Sequence, residues 1–174
     1  MTLHRHAVFL RGVMPSGKNA VKMAALREAL GKHGLADVST WIQSGNIALS
    51  SADDAATLAQ RVHDILQRDL GVDIVKNADE LAAILAEQPF ADAAPARIFY
   101  TLYNTAPDAA LLASALAEDF GDNRLAAGEH ALYMHIPGDA SRSKLSNNAL
   151  EKRLRITLTT RNRNTLAKML ELVS

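Results

Sequence analysis

The chain has 174 residues, 48% of them hydrophobic and 22% charged, enough to bury a core in one large or two small domains. It contains no cysteine, which excludes a disulfide framework, a thiolate metal site and a cysteine nucleophile. No run approaches the roughly 18 apolar residues of a membrane span. Residues 1–12 lack the basic start, apolar run and cleavage site of a signal peptide, so a cytoplasmic protein with no membrane partner is expected.

The formal net charge is zero, but it is unevenly spread. Residues 1–141 hold 11 Lys/Arg against 17 Asp/Glu, whereas residues 142–174 hold 8 against 2. A basic end of this kind suits either an anionic partner or the acidic remainder of the same chain.

In chain order, Ala7–Leu10 reads as a first strand that exits through Arg11-Gly12. A loop with Pro15 and Gly17 then delivers Lys18-Asn19 towards a helix over about Val21–His33, with Met23, Leu26 and Leu30 inward and Gly34 as its stop. Val38–Gln43 and Ile47–Leu49 are strands of a hairpin punctuated by Ser44-Gly45-Asn46. After Asp53-Asp54, a helical face of Leu58, Val62, Ile65, Leu66 and Leu70 runs to Gly71. Val72–Val75 is a fourth strand. Asn77 with Glu80 forms a capping box that opens a short helix. The small, polar stretch 91–96 reads as a linker. The order then repeats: strand Arg97–Tyr103, helix from Pro107-Asp108, strands Arg124–Ala127 and Ala131–Ile136, helix Lys144–Leu154, strand Ile156–Thr160, and a last helix burying Leu166, Met169, Leu170 and Val173.

This order predicts an α+β protein of two tandem ferredoxin-like βαββαβ(α) units, each an antiparallel sheet with helices on one face. The units are residues 1–90 and 97–174. Right-handed crossovers then place the exit of strand one beside the hairpin after strand two. Arg11, Lys18 and Asn19 should lie near Gln43, Ser44 and Asn46. In the second unit, the segments 139–144 and 159–162 should share an edge.

Three stretches offer polar chemistry. Gly12–Asn19, G-V-M-P-S-G-K-N, has the glycine and lysine spacing of a phosphate-binding loop, but Asn19 occupies the position of the magnesium-binding hydroxyl. Backbone donors and Lys18 ahead of a helix would still suit a single anion, and a solvated lysine in a plain connection explains the same residues. Gln43-Ser44-Gly45-Asn46 carries amides that orient a ligand, or merely builds a turn. Thr159-Thr160-Arg161-Asn162 would combine a threonine cap, free N–H groups and an arginine. The six histidines show no metal-ligand spacing, and no metal or cofactor is expected. Trp41, Phe99, Tyr100 and Tyr103 lie on strands, where core packing is expected over base stacking.

Taken together and in order, FLRGVMPSGKN, TWIQSGNIAL, SRSKL and TTRNRNTLAKMLEL resemble the bacterial domain-of-unknown-function family numbered 1697, over about residues 6–172. The resemblance assigns motif positions to Arg11, Gly12, Gly17, Lys18, Asn19, Gln43, Ser44, Gly45, Asn46, Ser143, Lys144, Thr160, Arg161 and Asn162. Pro15-Ser16 and Arg163 depart from the family pattern, which resembles valine-glycine and tryptophan there. The resemblance implies a two-part α+β fold and no established activity.

The leading expectation is a binding site for a small phosphate- or carboxylate-bearing ligand, held by Arg11, Lys18 and Arg161 and oriented by Gln43 and Asn46. Nucleic-acid binding through the basic end is the second reading. The third is a non-enzymatic interaction or dimerisation module, a homodimer among its forms. No general base can be named, and catalysis is neither assigned nor excluded.

Overall fold

The computed structural model describes residues 1–14 and 16–174; the expected loop residue Pro15 lies outside them. The chain divides into two compact units, one of Met1–Leu81 with Ala167–Ser174 and one of Ala82–Leu166. The segment 91–96, expected as a linker, therefore falls inside the second unit, and residues 167–174 complete the first.

The first unit contains β1 (His4–Phe9), α1 (Met23–Lys32), β2 (Ala36–Trp41), β3 (Asn46–Ser51), α2 (Ala55–Leu66), β4 (Ile74–Lys76) and the start of α3 (Ala78–Ala86). Its sheet has the order β2-β3-β1-β4, and every neighbouring pair is antiparallel. Alternation along the strands turns Val8, Leu10, Ile47, Leu49 and Val75 to one face, where Leu26 and Leu30 of α1 and Leu58 and Val62 of α2 close over them. Each such side chain contributes roughly 1.5–3 kcal/mol on burial.

The other face is also covered. All six residues of β3 are buried. Arg5, Ala7, Phe9, Asn46 and Trp41 share this second face by register. Against it lie residues of the C-terminal segment: the Arg5 guanidinium donates to the Leu172 carbonyl at 2.8 Å, and Lys168 stands 5.2 Å from the Trp41 ring centre. The expectation of helices on one face alone is thus corrected. Ala7, Phe9 and Ala48 make the second face apolar as well, and an apolar face must be covered.

The second unit holds the rest of α3, then β5 (Ile98–Leu102), α4 (Ala109–Leu116), β6 (Arg124–Ala127), β7 (Ala131–His135), α5 (Asn147–Leu154), β8 (Thr159–Asn162) and the start of α6 (Arg163–Val173). Its sheet order, β6-β7-β5-β8, repeats that of the first and is again antiparallel throughout. Leu132, Met134, Leu145, Leu150, Leu154 and Leu158 anchor one core. On the opposite face Tyr100 and Tyr133 meet edge to face at 5.6 Å, and the Tyr133 hydroxyl donates to the Ile84 carbonyl at 2.7 Å.

Local signals set most boundaries. Asn77 and Glu80 exchange bonds of 2.9 Å each, side chain to backbone, as a capping box does. Gly34, at φ +82°, ends α1 with bonds from Gly34 N–H to the Gly31 carbonyl and from Leu35 N–H to the Leu30 carbonyl, a Schellman closure. Several ends differ from the expected ones, β2 (Ala36–Trp41), β4 (Ile74–Lys76) and β8 (Thr159–Asn162) among them, and two helix ends have a local cause. The second helix stops at Leu66, because Gln67 adopts φ +48° as its cap, and does not run to Leu70. The fifth helix starts at Asn147, because Ser146 caps it and Ser143 Oγ holds the Leu145 N–H in the preceding turn.

Candidate functional site

Register brings three chain segments to one end of the first sheet. Phe9 lies opposite both Asn46 and Ile74, and Trp41 lies opposite Asn46. The exit of β1, the β2–β3 hairpin and the entry of β4 therefore share an edge, as the element order predicts. The Leu10 N–H donates to the Gly45 carbonyl at 2.8 Å. Gly45 sits at φ +78°, and a Cβ there would lie 2.7 Å from Leu10 Cβ, so this crossing demands glycine.

The polar residues at this edge separate into two groups. In the hairpin, Asn46 is fully buried, and its Nδ2 donates to the Trp41 carbonyl at 3.2 Å and to Ser44 Oγ at 3.0 Å. Those bonds brace the turn from within. Gln43 is exposed at its tip.

Lys18 and Asn19, with Ala20, Val21 and Gln67–Leu70, wall a cleft of about 410 Å³ between the loop after β1 and the turn after α2. Among the described residues, those of the hairpin do not line it. The loop turns tightly: Met14 N–H donates to the Asn19 carbonyl and Ala20 N–H to the Gly17 carbonyl, both at 3.1 Å, with Gly17 at φ +85°. The first helix begins only at Met23, after Lys22, with no side-chain cap. Lys18 and Asn19 thus precede the helix by a turn of their own. The placement of Lys18 directly ahead of a helix N-terminus, as in a phosphate-binding loop, is not formed.

Behind the cleft lies an ion-paired knot. The Arg11 N–H donates to Asp73 Oδ1 at 2.9 Å, and the Arg11 guanidinium donates to the Leu70 carbonyl. Arg68 Nη2 donates to the Arg11 carbonyl at 2.6 Å, and Arg68 Nη1 stands 3.8 Å from Asp73 Oδ1. Burial pushes the Asp73 carboxyl up, against the opposing pull of the Arg11 N–H and of the Arg68 and Arg11 charges. Among the described residues, the buried Arg68 Nη1 makes no hydrogen bond. Gly12, at φ +60°, lets the loop approach Leu70, whose Cδ1 would be 2.8 Å from a Cβ there.

Arg68 and Asp73 escaped sequence reasoning. The one available signal is Asp73 itself, a carboxylate set between Val72 and Ile74 where an apolar strand begins.

The remaining motif residues belong to the second unit. Phe99 lies opposite both Met134 and Asn162, so the exits of β7 and β8 also share an edge. The TTRN stretch is β8 itself, and its last residue, Asn162, caps α6, its Oδ1 accepting the Thr165 N–H at 2.9 Å. The expected threonine cap is corrected accordingly: Thr159 and Thr160 pair with Leu102 and Thr101 in the sheet. Thr160 Oγ1 lies 2.9 Å from both Thr101 Oγ1 and Asn147 Oδ1. Arg161 folds back on Thr159 Oγ1 at 2.7 Å and on the Thr160 carbonyl at 2.9 Å. Ser143 Oγ is used by Leu145, and Lys144 is exposed.

The aromatic expectation divides. Tyr100 and Tyr103 are buried core residues, while Trp41 keeps 37% of its surface exposed.

Two antiparallel α+β units, each with a polar sheet edge and a set of internally braced motif residues, define the class of protein. The chain belongs to the family described as protein of unknown function (DUF1697), whose model matches residues 3–133. It is similar in fold to the conserved bacterial protein SP0830 from Streptococcus pneumoniae, at 24% identity and a TM-score of 0.78, covering 99% of this chain and 100% of that one. No curated protein matches it.

Proposed function

We propose that the protein binds a small phosphate- or carboxylate-bearing ligand in the cleft walled by Lys18, Asn19 and the Gln67–Leu70 turn. One observation carries this reading: Lys18 and Arg68 line the same cleft. Two cations around one cleft favour an anionic ligand. Lys18 adds a second positive charge at the rim, and the Asn19 amide supplies orientation.

In this reading the ligand contacts fall to Lys18, Asn19 and Arg68. Arg11, Gly12 and Gly17 shape the loop, and Gln43, Ser44 and Asn46 hold the neighbouring hairpin. Ser143, Lys144, Thr160, Arg161 and Asn162 serve the second unit. We also read each unit as a ferredoxin-like repeat, which is supported by sheet orders that place the first and third strands of each unit inside. The absence of cysteine supports a cytoplasmic setting.

Thermal shift against inorganic phosphate, pyrophosphate, nucleotides and phosphorylated sugars tests the proposal. At ligand near 100 times Kd the wild type should gain roughly 5–10 °C, and Lys18→Ala should lose most of that gain. A panel in which no anion separates wild type from Lys18→Ala would remove the reading.

A further inference from the structure

We infer that Glu87, Glu129 and His130 form a binding site for a divalent cation of the zinc type. The three residues meet at the turn between β6 and β7. Glu129 and His130 are the tip of that turn, which the Gly128 N–H closes by donating to the Ala131 carbonyl at 2.9 Å. Glu87 arrives from just beyond the end of α3, and its Oε2 accepts the Glu129 N–H at 3.3 Å. A Cβ on residue 128 would lie 2.8 Å from the Tyr133 ring and 3.1 Å from that oxygen, so glycine there leaves space for both. One ligand atom from each of the three residues lies within 4.8 Å of the other two.

Charge argues in the same direction. Two carboxylates side by side repel each other, and among the described residues neither is ion-paired with a lysine or arginine. Tyr103 holds the turn in place, its hydroxyl donating to the Glu129 carbonyl at 3.1 Å. A dication between the carboxylates offsets the repulsion, and the His130 imidazole supplies a neutral nitrogen donor.

The donor set selects the class of ion. One nitrogen and two carboxylates suit zinc and its first-row neighbours. Calcium and magnesium take all-oxygen shells of six or more, and copper(I) prefers sulfur. Bonds near 2.1 Å put tetrahedral donors roughly 3.4 Å apart. Closing from within 4.8 Å to that spacing requires the two exposed glutamates to change rotamer. Three protein ligands leave a further position for water or an exogenous group.

The test is a calorimetric titration of tag-free full-length protein with zinc chloride at pH 7.5, repeated in competition with a chromogenic chelator. The expected result is one equivalent bound with micromolar or better affinity. His130→Ala and Glu87→Gln should each weaken it at least about tenfold, and His4→Ala should leave it unchanged. Circular dichroism checks that the variants are folded, and Glu129→Gln provides a third removal at an exposed position. The proposal is overturned if the wild type binds no zinc below about 100 μM, or if Glu87→Gln and His130→Ala bind as the wild type does.

Discussion

At the scale of single residues, the hairpin after β2 carries a strained position. Ile42 is exposed and β-branched, yet it holds φ +51°. Such a residue in the left-handed region costs about 1–2 kcal/mol, and asparagine tolerates the region far better. Ile42→Asn should therefore stabilise the protein by about 1 kcal/mol in urea unfolding. Gly45, at the other end of the same turn, should behave in the opposite way. Gly45→Ala adds both the φ penalty and a 2.7 Å approach to Leu10 Cβ, for a loss of roughly 2–4 kcal/mol.

His6 supplies a pH dependence at this scale. It is buried in β1 with neither ring nitrogen hydrogen-bonded among the described residues. Burial, with a smaller contribution from His4, holds its pKa below the ordinary imidazole value of 6.5, against Asp53, Glu80 and the nearby Ser51 backbone, which lies outside good hydrogen-bond geometry. The sign follows. Below pH 6.5 the unfolded chain takes up a proton at His6 that the folded chain does not. Stability falls as pH drops through that window, by at most about 1.4 kcal/mol per pH unit, and levels off below the folded-state pKa. Urea midpoints between pH 4 and 8 should show that His6→Leu loses this part of the acid sensitivity. A variant with the slope of the wild type would rule His6 out as its source.

At the scale of elements, the caps separate what was readable from what was not. The Asn77/Glu80 capping box was legible, because its whole signal is two residues three apart. Asn77→Ala should cost about 1 kcal/mol, read as a lower unfolding midpoint. The start of α6 was misread for an equally physical reason. Threonine and asparagine both cap helices, and the choice among Thr159, Thr160 and Asn162 depends on how far the pairing with β5 extends. That pairing holds the two threonines in the sheet and leaves Asn162 at the junction. Asn162→Ala should accordingly cost about 1 kcal/mol through loss of the cap.

At the scale of the whole molecule, the last residues of the chain belong to the unit that contains the first. Residues 167–174 group with Met1–Leu81, and Met169 and Val173 are buried. Deleting them removes two core side chains, the Leu172 carbonyl that accepts from Arg5, and the lysine over Trp41. A chain ending at Leu166 should lose about 3 kcal/mol or more in denaturant unfolding. The basic end is also less available than its charge suggests. Arg142 is 3.6 Å from Asp139, Lys168 is 3.0 Å from Glu171, and Arg153 pairs with Glu118. Nucleic-acid binding should consequently be weak and vanish by about 0.15 M salt in a mobility-shift assay.

The sequence alone determined the order of the elements, the two antiparallel sheets with that order repeated, and the shared edge of β1 and the hairpin. Each of these follows from hydrophobic period, turn residues and the handedness of crossovers, which act over a few residues or through a general rule. The tertiary structure decided which side chains meet. It set Lys18 and Arg68 around one cleft, buried Asp73 against Arg11, and closed Asn147 onto Thr160. It also brought Glu87 to a turn 42 residues further along. These meetings depend on how far α2 runs before Gln67 turns it and on where each strand pairing ends. Both are outcomes of packing many side chains at once, and no short stretch of sequence carries them.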